Sequence, residues 1–484
     1  MAVSNRLPIV MERRPDGWDI KPGSGGLVTA LAPVLRNRGG LWIGWPGVTG
    51  EVSQRALDRA SKKAGYRLHA VPLGEEEIEH FYRTVSNGAL WPLFHGLSTR
   101  ATYSHEAWGT YEKVNRRFAE VIDRRSRESD YIWVHDYHLM LVARELRALN
   151  PKRRIGFFLH IPFPPLDIFL QLPWRSQILD ALLKYDLIGF QTMRDRRNFL
   201  DAVRRVVPNV RTHGAGSVVS VEHQDREVRI GAFPISIDYR EFAEQASDWP
   251  VEEGSRWLKR TFGNRIIILG VDRLDYTKGI PERLEALRVA LERYPELRGA
   301  ISFIQIAVPS RQDVPEYRLL KEEIDRLVGD INGQFTEMDW SPIHYMYRSV
   351  SRDQLLTFYR AADIGLLTPL ADGMNLVAKE FAAANVDQNG VLILSEFAGA
   401  ASQLYRWALT VNPHNAVEVA EAIHEACTMS EGEKRYRMRR LRASIKRNDI
   451  FRWVDQFLEA AVARHLDDFP VQEDYVPGLE PTEV

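Results

Sequence analysis

DIGLLTPLADGMNLVAKE, residues 363–380, decides the fold class. An apolar run, DIGLLTPL, breaks at a proline and gives way to Asp372-Gly373-Met374-Asn375 before a segment of good helix formers. Taken alone it reads as a strand–turn–helix, with Asp372 capping the helix and Glu380, about two turns on, a solvated carboxylate. Any larger role for the two carboxylates must come from the rest of the chain.

The same pattern recurs. YIWVHD (131–136), RIGFFLHIPFP (154–164), YDLIGFQT (185–192), RIIILGVDRLD (265–275), ISFIQIAVPSR (301–311) and GVLILSE (390–396) are continuous apolar runs ending in polar turns. Continuous rather than alternating runs suit parallel strands covered by helices on both faces. Helical patterns lie between them, among them EAWGTYEKVNRRFAEVIDRR, PERLEALRVALERY, DQLLTFYRAA and AVEVAEAIHEAC. Repeated strand–helix–strand is the doubly wound α/β signature.

At 484 residues the chain is too long for one ordinary core, so two large domains are expected. The boundary falls after GAFPISID (231–238), read as a strand, giving domains 1–238 and 239–449. An amphipathic helix over 450–466 would return to the first domain, and the acidic, proline-containing stretch 467–484 reads as a mobile tail.

Lys plus Arg number 64 against 65 for Asp plus Glu, so nothing global favours nucleic acid or an anionic membrane surface. Any anionic ligand must meet local Arg and Lys. The basic run 433–447 reads as a solvated helix face. One cysteine, Cys427, excludes an intrachain disulfide and a multi-cysteine metal site. With no secretory leader or membrane-length apolar run visible, the protein reads as cytoplasmic.

In open parallel sheets, ligands gather at the carboxyl ends of strands. Here DRLDYTKG follows IIILGV and brings Arg273 and Lys278 to such an end; PSRQD brings Arg311, and ADGMN brings Asp372. In the first domain HDYH follows YIWV, and HIPFP follows GFFL. Five such ends, divided between two domains, suggest a cleft lined from both sides. Two cations facing a helix amino end suit a diphosphate. Amides near Asn375, Leu376 and Val377 would face its oxygens, and Glu380 could accept from a ribose diol. GSGGLVTAL (23–31) is a glycine-rich turn entering a helix after the first strand, either a tight structural turn or a phosphate approach. The dinucleotide fingerprint, the P-loop, the zincin motif and the nucleophile elbow are all missing from the sequence.

SNRLP, GSGGL, GLWIGWPG, SNGALWPLFH, VHDYHLM, GFFLHIPFP, DLIGFQT, DRLDYTKGIPERL, PSRQDV, DGMNLVAKE and SEFAGAA together resemble the trehalose-6-phosphate synthases over roughly residues 2–460. That resemblance implies a retaining glycosyltransferase of the glycosyltransferase-B architecture: two Rossmann-like doubly wound parallel-sheet domains facing a cleft. The first would bind the acceptor and the second the nucleotide sugar. It implies glucose transfer, usually from UDP-glucose, to glucose 6-phosphate, with no metal or further cofactor, by a homo-oligomer whose partners are small molecules. Arg6 and Arg311 would hold the acceptor phosphate, Tyr82 and Trp91 would frame the acceptor sugar, and Asp136 would bond a hydroxyl. Gly26 would lie near the donor diphosphate and Arg273 and Lys278 would neutralise it. Asp372 would bind donor-glucose hydroxyls with the Gly373, Met374 and Asn375 backbone; Glu380 would take the ribose and His160 would sit beside the transferred glucose.

Two positions depart from the family pattern: Ala371 stands where Arg is usual and Ser236 where Gly is usual. The nearest rivals are a glucosylglycerol-phosphate synthase using glycerol 3-phosphate and a sugar-phosphate sensor without turnover. An NAD-dependent oxidoreductase is disfavoured by the missing fingerprint. For a transferase the residues suggest a front-face reaction, in which the leaving phosphate takes the acceptor's proton.

Overall fold

The structure is a computed structural model that describes residues 1–478 except 15–16, 24–25, 312–313, 464, 467–468 and 470–471. The fold divides into two compact units, one of residues 1–235 with 450–474, the other of residues 236–449 with those from Tyr475 onward.

Unit 1 contains β1 (Ala2–Arg6), β2 (Ile9–Arg14), β3 (Gly17–Pro22), β4 (Leu41–Trp45), β5 (Arg67–Ala70), β6 (Tyr131–His135), β7 (Arg154–Phe158) and β8 (Leu187–Phe190). It continues with β9 (Arg211–His213), β10 (Val218–His223) and β11 (Arg226–Ala232). Its main sheet runs β5-β4-β1-β6-β7-β8-β11-β10-β9. The pairings are parallel from β5 to β11, and β10 and β9 join antiparallel at one edge. The helix Ile450–Val462 lies on this sheet. Its Trp453 and Phe457 rings stack on Trp133 at 4.8 and 4.3 Å, and the Trp453 indole donates to the Phe233 carbonyl at 3.0 Å. Burying each such ring contributes about 1.5–3 kcal/mol.

Unit 2 contains β12 (Ile266–Arg273), β13 (Ile301–Val308), β14 (Ile343–Tyr347), β15 (Ile364–Leu367), β16 (Val391–Ser395) and β17 (Leu409–Val411). The order is β14-β13-β12-β15-β16-β17, parallel throughout. Its core gathers Ile268, Phe303, Leu366 and Ile393 from the strands with Leu284, Leu287 and Ile324 from the covering helices.

Both sheets therefore carry the doubly wound order in which the chain reverses direction across the sheet between two central strands. In unit 1 that switch point lies between β1 and β6, and in unit 2 between β12 and β15. Ligand crevices form there because the connections leave to opposite sides.

Several expectations need correction. The strand read into GAFPISID ends at Ala232, and residues 233–238 are irregular. The glycine-rich turn does not follow the first strand directly, because the β2–β3 hairpin intervenes. Of the C-terminal tail, 467–468, 470–471 and 479–484 lie outside the described residues. Gln472 donates its N–H to Ser217 Oγ at 2.6 Å, and Asp474 pairs with Arg197. Among the described residues no helix is long and apolar enough to cross a membrane.

Candidate active site

In unit 2 the loop after β12 meets the loop after β15 at the switch point. Arg273 ends β12 and is exposed. Five residues on, Lys278 donates from Nζ to Asp372 Oδ2 at 2.5 Å, an ion pair that is largely buried. Asn375 Nδ2 reaches the same oxygen at 3.2 Å. The turn carrying Lys278 is fixed by Gly279, whose φ of +62° suits glycine and where a Cβ would lie 2.3 Å from the Thr368 carbonyl. Beneath it Arg283, 1% exposed, donates to Asp272 at 2.5 Å, Gln305 at 2.9 Å, Thr368 at 3.0 Å and the Lys278 carbonyl at 3.2 Å. A buried guanidinium satisfied on all sides ties the two loops to the sheet.

Asp372 does not cap the following helix. Asn375 does, from a left-handed backbone (φ 73°), its side-chain oxygen accepting from the Ala378 N–H at 3.2 Å. The helix Leu376–Ala384 begins with Leu376 and Val377 partly exposed, and first-turn amides have no partner within their own helix. Its amino end thus offers N–H groups and the positive end of the helix dipole beside Lys278. Met374 and Gly373 are held by the SEFAGAA segment: Ala400 N–H donates to the Met374 carbonyl at 2.7 Å and Gly399 N–H to the Asp372 carbonyl at 3.0 Å. A Cβ on Gly399 would lie 1.8 Å from the Gly373 oxygen, so only glycine fits.

Glu380 is not a surface carboxylate. It is 9% exposed and accepts from the Tyr359 hydroxyl at 2.8 Å; burial pushes its carboxyl upward against that bond and the nearby Arg352. Next to it Lys379 is 1% exposed, its amine lowered to about 7 by burial and donating to Gln403 at 2.7 Å.

Arg311 follows β13 with a left-handed φ of 47°. Its guanidinium donates to the Tyr317 hydroxyl and lies 3.3 Å from Asp275. Asp275, 1% exposed, also accepts from Tyr317 at 3.1 Å and from Thr277 N–H and hydroxyl at 3.0 and 2.9 Å. Burial alone would raise its pKa, but Arg311, Arg273, Lys278 and the Thr277 amide outweigh it and hold the carboxyl below the usual range.

Unit 1 presents different chemistry. Arg6, at the end of β1, lays its guanidinium 4.3 Å over the Trp45 ring and 5.6 Å from that of Tyr82. Tyr82 belongs to a π-helix, Ile78–Leu90, and stacks on His138 at 5.9 Å. Trp91 follows directly but is 5% exposed, packed at 4.2 Å on His95 and 5.7 Å on Tyr137. Asp136 leaves β6 with φ 76°, and its Oδ1 accepts from the His160 N–H at 3.2 Å. Such backbone strain in a non-glycine residue costs about 1–3 kcal/mol, and Asp136, Arg311 and Asn375 all show it. His160 and His135 share a 3.1 Å hydrogen bond; burial pushes His160 down to about 3 and His135 well below its ordinary value. Both rings are neutral at physiological pH. Gly26 opens the helix Gly26–Arg38 and is exposed, while Ser24 and Gly25 of its motif lie outside the described residues.

Within unit 2, Lys278, Asp372, Gly373, Met374, Asn375, Leu376 and Val377 therefore come together, with Arg273 and Arg311 linked to them through the charge field of Asp275. Glu380 lies deeper in the same helix. Ala371 sits against the Lys278 turn, its N–H 3.4 Å from the Thr277 carbonyl. Ser236 is fully buried and its hydroxyl has no partner among the described residues. The sequence pattern gave no role to Asp275, Arg283, Tyr317, Lys379, His135 or Gly399, although all but Tyr317 stand inside quoted motifs.

Two doubly wound units, one with cations and a helix amino end at its switch point, agree with the glycosyltransferase-B architecture that the resemblance implies. A profile of glycosyltransferase family 20 matches residues 1–463. The trehalose-6-phosphate synthase of Mycobacterium bovis is 44% identical over 476 residues, 96% of this chain and 95% of that protein. Among solved structures, an alpha,alpha-trehalose-phosphate synthase (UDP-forming) from Burkholderia xenovorans in complex with glucose-6-phosphate aligns with a TM-score of 0.86 at 36% identity. It covers 95% of this chain and 99% of its own. An E. coli structure bound with UDP-2-fluoro glucose gives 0.84 at 37%, covering 95% and 99%. The chain belongs to glycosyltransferase family 20, the trehalose-6-phosphate synthase family.

Proposed function

We propose that this glycosyltransferase moves glucose from UDP-glucose to glucose 6-phosphate with retention, giving trehalose 6-phosphate. The carrying observation is the Lys278–Asp372 pair at the β12/β15 switch point, beside the amino end of Leu376–Ala384. An ammonium has three donors; Asp372 takes one and the others remain for a diphosphate. Bond breaking at the anomeric carbon places negative charge on the departing diphosphate. Arg273, Lys278 and the first-turn amides of Leu376 and Val377 stabilise it, and Gly26 is assigned to the same donor. Asp372 and the Gly373–Asn375 backbone bind the donor glucose, and Glu380 the ribose.

Arg6 and Arg311 hold the acceptor phosphate, Tyr82 and Trp91 frame the acceptor ring, and Asp136 bonds one of its hydroxyls. His160, neutral, serves the transferred glucose as a hydrogen-bonding group rather than a cation. Asp372 already accepts from Lys278 and Asn375, which supports hydrogen bonding over nucleophilic attack. The leaving phosphate then takes the acceptor's proton on the same face. The names of the relatives support UDP as the nucleotide and glucose 6-phosphate as the acceptor. The enzyme works in the cytoplasm as a homo-oligomer.

A donor-by-acceptor matrix tests this: UDP-, GDP- and ADP-glucose against glucose 6-phosphate and glycerol 3-phosphate. The expected result is highest kcat/KM for UDP-glucose with glucose 6-phosphate. Turnover with glycerol 3-phosphate alone would make the chain a glucosylglycerol-phosphate synthase, and no turnover with any pair a sensor.

A further inference from the structure

We propose that Asp275 is a positioning residue that sets the geometry of the phosphate-binding cations from one buried carboxylate. This rests on the functional reading above and adds a residue that touches neither substrate. Its two oxygens face different loops. Oδ1 accepts from the Thr277 N–H and hydroxyl, fixing the turn that carries Lys278, whose own N–H donates to the Asp275 carbonyl at 3.0 Å. Oδ2 lies 3.1 Å from the Tyr317 hydroxyl and 3.3 Å from the Arg311 guanidinium, which come from beyond the neighbouring strand. Tyr317 bridges the two, accepting from Arg311 while donating to Asp275. One side chain thus fixes the donor-side turn and the acceptor-side arginine together, with Arg311 held in a left-handed backbone.

Electrostatics and positioning predict opposite signs. Asp275 places a negative charge among three cations, so neutralising it would tighten the binding of any anion if only charge mattered. If instead it aims Arg311 and the Lys278 turn, Asp275→Asn must weaken binding: the amide keeps an acceptor for Thr277 but turns a donor towards Tyr317 and Arg311.

The test measures KM for glucose 6-phosphate and Kd for UDP in wild type, Asp275→Asn, Arg311→Ala and the double variant. The expected result in Asp275→Asn is a KM for glucose 6-phosphate raised about tenfold and a weaker Kd for UDP, with the double variant's KM for glucose 6-phosphate no worse than that of Arg311→Ala, since residues acting through one contact are not additive. Unchanged or tighter binding of both anions overturns the proposal, as does a double variant whose losses in glucose 6-phosphate binding multiply. If Asp275→Asn does not fold, Tyr317→Phe decides: a raised KM with kcat retained supports positioning, and a wild-type KM overturns it. A wild-type KM in Arg311→Ala would instead contradict the assignment of Arg311 to the acceptor phosphate, whatever Asp275 does.

Discussion

The two units share one strand order and fill their switch points with opposite chemistry. Around the β1/β6 switch point of unit 1 stand stacked rings, two buried neutral histidines and Arg6, its guanidinium lying over aromatic faces. Between β12 and β15 of unit 2 stand ion pairs: Lys278 with Asp372, Arg283 with Asp272 and, from the next strand, Arg311 with Asp275. Topology decides where a crevice forms, and side chains decide what it holds. A ring-lined site suits a sugar face, where stacking and neutral hydrogen bonds discriminate. A charge-lined site with a helix amino end suits a diphosphate, whose binding and departure are governed by electrostatics.

If that contrast is right, damage to unit 2 should strike the chemical step hardest. Lys278→Ala should lower kcat about 100- to 1,000-fold, the effect of removing one preorganised donor to a charge that develops in the transition state. Steady-state kinetics checks this, and a fall below threefold would break the contrast. Gly399→Ala should push the Gly373–Met374 loop out of place, raising the KM for UDP-glucose and destabilising the protein by about 1–3 kcal/mol in chemical unfolding. Arg6→Lys, in unit 1, should raise the KM for glucose 6-phosphate about tenfold while leaving UDP affinity unchanged, because an ammonium reproduces the charge but not the planar stacking. Loss of UDP binding in that variant would erase the distinction between the units.

A separate effect concerns pH. His160 titrates at about 3 in the folded protein and near 6.5 unfolded. Below pH 6.5 the unfolded chain binds the extra proton, so the stability contributed is complete above about 6.5 and declines as the pH falls towards 3. At pH 5 the loss from His160 is about 2 kcal/mol relative to neutrality. Unfolding at pH 7 and pH 5 should therefore show a smaller acid loss in His160→Asn than in wild type.

The strand ends were legible because a buried parallel strand is a continuous apolar run and its polar exit is abrupt; all seven quoted runs contain strands. What the chain hid has physical causes. IVMERR and GWDIKP are too charged to read as strands, so the hairpin before the glycine-rich turn was missed. FYRTVSNGAL is built largely of weak helix formers such as Thr, Val, Ser, Asn and Gly, so no local signal marks it as a π-helix. Asp372 and Asn375 are equally good caps by type, and the left-handed backbone that selects Asn375 is imposed by the loop packed against SEFAGAA. Glu380 looked solvated because its partner, Tyr359, lies 21 residues away. Asp275 meets Tyr317 and Arg311 at separations of 42 and 36 residues, which a linear pattern does not encode.

A crystal structure of the enzyme with UDP bound would show whether the β12/β15 switch point holds the diphosphate. Diphosphate oxygens should lie within hydrogen-bond distance of Lys278 Nζ and the Arg273 guanidinium, against the amides of Leu376 and Val377. A diphosphate resting elsewhere, with Lys278 still engaged only by Asp372, would contradict that assignment.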